Sequence, residues 1–466
     1  MALVNATAKM TDSDKIQEKA EIINELLEKY QTPEIALQYA MALVNATIGI
    51  TDSDKIQEKV DIINELLEKY QTPEIALRYA MALVNATIGI TDSDKIQEKA
   101  EIIKKLLEKY QTPEIAHCYS AALGNATNIM TDSGKIQEKA EIIKELLEKY
   151  QTPKIALEYA NALVNATYEM TDTKKIEDIA EKIKTELLAF EKYQTPEIAL
   201  EYAIALVNAT VKIQDATKIV DIAEKIKTEI LEKYQTPEIA LEYAKTLVNA
   251  TYEMTDSDKI QEKAEIINEL LEKYQTPEIA LQYAMALVNA AFKMTDTKKI
   301  VDIAKKIKTK ILEKYQTPEI VNQYAKALAI VTDKIESAEI CETIADNFKN
   351  EYLSQEKYQT QEIYENYGMI LNNIAESMET SGEILNIADR YYSEILINET
   401  YRIDKIEMIY TNILNLAAKK IPDSINASEI QERIRYSELN EKFERLLNEL
   451  NDPKIISEKY GTNITQ

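Results

Sequence analysis

One nine-residue string, EKYQTPEIA, recurs with its near copies along the chain, carrying Pro33, Pro73, Pro113, Pro153, Pro196, Pro237, Pro277 and Pro318. Successive spacings are 40, 40, 40, 43, 41, 40 and 41 residues. A degenerate copy without the proline follows at Gln361, a weak one near Asp404, and the last starts at Pro453. A period of this length means that one supersecondary unit has been stacked many times, which restricts the fold to a linear array. The 466 residues also exceed what a single globular core holds.

Each unit reads as two helices. The first, the A helix, is expected from Pro33 to Thr47. Thr32 is its N-cap, Pro33 takes the first helical position where a missing N–H costs nothing, and Glu34 faces the positive end of the dipole. The second, the B helix, is expected from Ser53 to Tyr70, with Thr51 and Asp52 as caps and Asp54 completing a capping box from Thr51. Ile16, Ala20, Ile23, Leu26, Leu27 and Tyr30 form an apolar stripe at helical spacing on one B helix. Ile35, Ala36, Tyr39, Ala40, Leu43 and Val44 do the same on the next A helix. Neither stripe is hidden within one pair. Ordering a backbone costs about 1–2 kcal/mol per residue, and a handful of apolar side chains returns about 1.5–3 kcal/mol each. A unit therefore folds only against its neighbours. The 7 glycines leave few tight turns and no phosphate-cradling loop. The expected fold is an all-α solenoid of about ten helix-turn-helix repeats, regular over residues 1–330 and diverged over residues 331–466.

The pattern resembles the tetratricopeptide-type helix pair. A proline closes each B helix (Pro33, Pro73), a small residue sits within the A helix (Ala40, Ala80), and an alanine comes early in the B helix (Ala20, Ala100). The unit is 40 residues rather than the family's roughly 34, and Leu27 stands near a second small-residue position. HEAT-like and Sel1-like solenoids span similar lengths. The resemblance implies a right-handed superhelix whose inner face, lined by A helices, binds a protein or peptide.

Positions that drift between units are the candidate contacts for such a partner. Gln38 becomes Arg78, Cys118, Glu158 and Glu201; Met41 recurs as Met81 and becomes Ala121, Asn161, Ile204 and Lys245. Drift of this kind predicts exposure, so Gln38, Met41, Arg78, Met81, Glu158 and Asn161 are expected to face a groove or solvent. The net charge of −25 argues against nucleic acid and anionic lipid as partners. No apolar run reaches the roughly 18 residues of a membrane span, and the opening MALVNATAKM has no basic n-region or uninterrupted apolar core.

Little in the chain suggests catalysis. His117, the only histidine, replaces a leucine of the sister units, and reads as a drifted boundary residue. Cys118 and Cys341 form neither a disulfide framework nor a zinc spacing. The TDSDK segments keep their first aspartate (Asp52, Asp132, Asp172) but lose the second at Gly134 and Lys174. A cap needs only the first, whereas a calcium loop needs more oxygen ligands and a turn glycine. No cofactor is expected. Asn-Ala-Thr recurs at Asn5, Asn45, Asn85, Asn125, Asn165, Asn208 and Asn249, with further sequons at Asn398, Asn426 and Asn463. These are candidate glycosylation acceptors, set against a copied asparagine that ends each A helix favourably.

The chain opens at a position equivalent to Met41, half-way through an A helix, and closes with PKIISEKY, which resembles the front half of one. Met1, Leu3 and Val4 could thus complement Pro453, Ile455, Ile456 and Tyr460 of another copy. Such a head-to-tail contact yields a filament unless it closes into a ring. Two function classes follow: an interaction scaffold, or a structural subunit assembling with other copies of itself. The cytoplasm is the default compartment, and the cell surface or exterior goes with the filament and its sequons.

Overall fold

A computed structural model describes residues 13–48, 50, 52–397 and 404–420. Among these residues every regular element is a helix, and the fold is an all-α array of helix pairs. It divides into two compact units, Met1–Thr246 and Leu247–Gln466. The loss of sequence regularity near residue 330 falls inside the second.

The helices begin and end as their residues dictate. The A helix Pro33–Thr47 starts at Thr32, whose side chain accepts a hydrogen bond from the Ile35 amide at 3.3 Å. Thr72, Thr112, Thr152, Thr195 and Thr317 repeat this. The B helix Ser53–Tyr70 is capped by Asp52, whose carboxylate accepts from the Asp54 and Lys55 amides. Thr51, from which a capping box is expected, lies outside the described residues, and Asp52 accepts from the Asp54 amide. Asp132, Asp172 and Asp296 do the same where the second aspartate is gone. This accounts for the TDSDK segments without calcium, and no cluster of three metal-ligating side chains occurs among the described residues.

Repeat length is written into helix type. Where the spacing is 40, the B helix is unbroken α, as in Ser53–Tyr70, Ser93–Tyr110, Ser133–Tyr150 and Ser257–Tyr274. In each longer interval the added residue becomes a π-turn: Ile183–Leu188, Ile226–Leu231, Ile307–Leu312, Lys349–Leu353 and Tyr392–Leu396. A single insertion in a packed helix is absorbed this way because the residues on both sides keep their core register. Two 43-residue intervals, one ending at Pro196 and one at Gln361, add a 3₁₀ turn, Glu191–Tyr193 and Glu356–Tyr358.

Each A helix packs on the B helices before and after it and on neighbouring A helices, as Pro33–Thr47 does on Ser13–Tyr30, Ser53–Tyr70 and Pro73–Asn85. Alanine makes this possible. Ala36, Ala40, Ala76 and Ala80 are fully buried, and small side chains at the contact let helix axes approach closely. Within each unit the A helices therefore form a continuous layer, and its open face carries the site.

Candidate functional site

The drifting positions lie on this face but are not fully exposed. Gln38, Met41, Arg78, Met81, Glu158 and Asn161 are all half-buried. The fifth residue after the helix-opening proline lies beside its counterparts on the adjoining A helices, where each neighbour covers part of it. It becomes fully buried at Cys118 and Glu242 in the first unit, and at Gln323 and Asn366 in the second. Drift at this position thus signals adjustable packing rather than free surface. Buried Gln38 Oε1 and Arg78 Nε have no hydrogen-bond partner among the described residues.

One A helix, Pro113–Thr127, departs from the others. Against Pro33–Thr47 it reads His117 for Leu37, Cys118 for Gln38, Ser120 for Ala40, Ala121 for Met41 and Gly124 for Val44. Three of these, at 117, 121 and 124, follow i, i+4, i+7 and share one helix face. Gly124 faces Glu158 and lies outside the cavity lining, whereas Met→Ala removes bulk from the part of that face that enters it. The result is an open cavity of about 540 Å³ lined by Leu77, Met81, Val84, Asn85, Pro113, Glu114, His117, Cys118, Ala121, Thr152, Pro153 and Lys154. The lining is mainly apolar, with polar groups at the rim, as ligand grooves commonly are. Of the predicted partner residues, Met81 enters this lining; Arg78 and Glu158 stand beside it in the row of fifth positions. Gln38, Met41 and Asn161 occupy the same register on their own helices and do not line it.

The electrostatics of that row are unusual. Glu158, Glu201 and Glu242 occupy the fifth position of three successive A helices. Burial pushes the Glu158 carboxyl up to about 7. Burial, aided by the charges of Glu242 and Glu158, does the same to Glu201. Glu242 has a counter-ion, Lys245 at 2.7 Å. Glu158 has only His117, 3.8 Å away. Burial and the nearby Lys154 push that imidazole down, so it supplies no positive charge at neutral pH. Glu201 has no ion-pair partner among the described residues. Gly124 makes room for this arrangement, because a Cβ there would come within 2.7 Å of Glu158 Oε2. The Cys118 thiol is pushed up to about 12, chiefly by burial, and is therefore protonated and a poor nucleophile.

The sequons have a structural use. Asn85 Nδ2 donates to Thr47 Oγ1 of the preceding repeat at 2.8 Å. Asn125–Thr87, Asn165–Thr127, Asn208–Thr167 and Asn289–Thr251 repeat it at 2.7–2.9 Å, and Asn373–Thr332 at 3.1 Å. Each threonine hydroxyl also donates to the carbonyl three residues before it, as in Thr47 to Val44 at 2.7 Å. The asparagine thus clasps adjacent repeats rather than ending its own helix, and the nitrogen that would carry a glycan is engaged. The pairing explains its own exceptions. Where threonine gives way to Ala291, the next unit has Ile330 for asparagine; where Ala375 stands, the next has Leu416. Asn5, Asn398, Asn426 and Asn463 lie outside the described residues, as do Met1, Leu3, Val4, Pro453, Ile455, Ile456 and Tyr460 of the proposed end contact.

A second cluster accompanies the π-turns. Glu186 accepts from Tyr159 at 2.9 Å and from Lys144 at 3.0 Å, and Glu229 accepts from Tyr202 at 3.1 Å and from Lys184 at 3.0 Å. These groups satisfy one another between repeats, and their role is structural.

Sequence reasoning missed the cavity because His117, Cys118, Ala121 and Gly124 were each legible only as drift. Their common signal was that all fall on one helix of an otherwise near-identical series. Comparison of the chain with protein-family models and with curated proteins gave no match in either case. No helix among the described residues is long and apolar enough to cross a membrane.

Proposed function

We propose that this chain is a non-enzymatic interaction scaffold of tetratricopeptide-like helix pairs that holds a protein or peptide on the open face of its A-helix layer. The observation that carries this reading is the concentration of substitutions on one face of Pro113–Thr127, where they open a cavity of about 540 Å³. Val84, Val164, Val207, Val248 and Val288 keep the valine that Gly124 replaces, so this helix departs from a position its sisters hold for packing. A binding role is supported further by Glu158 and Glu201, which are desolvated without a cationic partner. Such uncompensated groups lower stability and concentrate where they serve function. The protonated Cys118 and the neutral His117 lack the properties of a nucleophile–base pair, in keeping with binding rather than catalysis.

The test is to restore the repeat sequence in that helix, as H117L/C118Q/S120A/A121M/G124V, and compare proteins captured from the native source. The variant should fold with equal or greater stability and lose the captured partner. Retention of the same partner at the same yield would sink the reading.

A second reading, assembly with other copies of the chain, is favoured by a different observation. Ile48, Ile88, Tyr168 and Val211, just past the ends or at the last residue of four of the first five A helices from Pro33, are each more than half exposed, as are Tyr252 and Phe292 in the second unit; Asn128 takes the place on the other. Exposed apolar side chains repeated in register are a recurrent feature of interfaces. Sedimentation velocity across a concentration series decides it: growth that disappears in I48S/I88S/Y168S would make assembly primary, and a concentration-independent monomer would remove it.

A further inference from the structure

The groove across Pro73–Asn85, Pro113–Thr127 and Pro153–Tyr168 has chemistry that selects its occupant. We propose that it takes an extended basic peptide, seating an apolar side chain against Met81, Val84 and Ala121 and placing lysine or arginine side chains on Glu158 and Glu201. This rests on the scaffold reading and names the ligand class for the same face.

Charge complementarity carries the assignment. The row of fifth positions runs from Arg78 through Cys118 to Glu158, Glu201 and Glu242. Its far end presents two carboxylates that no lysine or arginine among the described residues pairs with. The groups facing them are few. Glu158 meets His117 from the preceding helix and Glu201 from the next; Glu201 meets Glu158 and Glu242. Lys245 is committed to Glu242, and Lys154, one turn before Glu158 on the same helix, lines the cavity and forms no ion pair with Glu158 among the described residues. A ligand cation would restore the Coulombic partner that burial has removed, in surroundings where water screens it poorly. Arg78, half-buried and without a carboxylate partner among the described residues, repels a basic group at the other end. The ligand is thereby held in one polarity. The apolar cavity lies between, so the recognised pattern is an apolar residue followed or preceded by basic ones on one side only.

The chain's overall acidity would attract any basic peptide, so the test must separate site from net charge. The probe is a fluorescein-labelled ten-residue peptide alternating lysine and leucine, with lysine–serine and glutamate–leucine counterparts, measured by fluorescence anisotropy in about 150 mM salt. E158Q/E201Q puts in the glutamine that Gln38 and Gln282 already carry at this position, so folding is expected to survive. H117L/A121M adds bulk to the cavity lining and leaves Gly124, and with it the room for Glu158, unchanged. E138Q/E145Q removes two exposed carboxylates from the B helix Ser133–Tyr150 and serves as the charge control.

The lysine–leucine peptide should bind at least tenfold more tightly than either counterpart. E158Q/E201Q and H117L/A121M should each weaken it at least tenfold, and E138Q/E145Q less than twofold. Affinity should increase between pH 6 and pH 8 as the two glutamates ionise, and that increase should vanish in E158Q/E201Q. Equal weakening by E138Q/E145Q would overturn the proposal in favour of unspecific attraction. Preference for the glutamate–leucine peptide would overturn it outright. If no peptide binds while the restored helix still loses its native partner, the basic-ligand assignment falls and the scaffold reading stands.

Discussion

The A helices Pro33–Thr47 and Pro113–Thr127 have the same length, the same threonine cap and the same opening proline. Both end in Asn-Ala-Thr, and both bury an alanine two residues after that proline's glutamate and a leucine toward the C-terminal end. They differ at five positions, three of them on one side. Everything shared concerns holding a repeat to its neighbours. Of what differs, His117 and Ala121 stay half-buried on the open face, while Cys118, Ser120 and Gly124 are buried against neighbours. A repeat protein can thus change one helix's chemistry freely provided the clasping residues stay, because stability is a sum of local and nearest-neighbour terms.

The comparison breaks most severely at the shared core. Leu43 and Leu123 are both fully buried, so Leu43→Ala and Leu123→Ala should each cost about 2–5 kcal/mol, read from urea denaturation. If the two costs differ several-fold, the helices do not share one packing role.

Next is the desolvated pair. The Glu158 and Glu201 carboxyls sit at about 7 in the folded protein against about 4.3 in an unfolded chain. Between those values the native state binds more protons than the unfolded state. These two groups therefore add stability as pH falls from about 7 toward 4.3, and withdraw it as pH rises through 7. E158Q/E201Q should be more stable than the parent at pH 8, by a few kcal/mol at most, with the gap closing toward pH 4.5. A gap independent of pH in the urea midpoints would show that burial does not perturb these carboxyls.

The inter-repeat clasp is smaller in effect and sharper in form. Thr87→Ala and Asn125→Ile should each cost about 1 kcal/mol, since each strands a half-buried partner. The double variant should cost less than the sum, because it recreates the chain's own Ala291 and Ile330 pairing. Strict additivity in a double-mutant cycle would deny the coupling.

The smallest effect separates the two kinds of repeat junction. Gln111 ends its B helix with φ 52, whereas Gln194, after the 3₁₀ turn, has φ −74. Gln111→Gly relieves a left-handed side chain and should gain a few tenths of a kcal/mol, while Gln194→Gly should lose about 0.5–1 kcal/mol. The same sign at both sites, by thermal denaturation, would remove the distinction.

Much of the fold was legible early. The A and B helix limits at Pro33, Thr47, Ser53 and Tyr70 followed from caps, proline and apolar periodicity, all of which are local. The spacings of 41 and 43 already held the π and 3₁₀ turns, but only packing says whether an inserted residue widens a helix or loops out. The site was less legible. Met81 was singled out and does line the cavity, yet drift was taken for exposure when neighbouring A helices half-cover those positions. Gly124 had no meaning until the carboxylate it accommodates was seen beside it.

The sequence by itself determined the periodic all-α array, its helix ends, and its acidic balance, because caps, turns and hydrophobic period act over a few residues. Only the tertiary structure decided what stacking does to side chains some 40 residues apart. It turned a recurrent sequon into an Asn–Thr clasp, and glutamates copied along the chain into a desolvated row. Burial and partnership between repeats are set by the neighbour's surface, and no single unit carries that information.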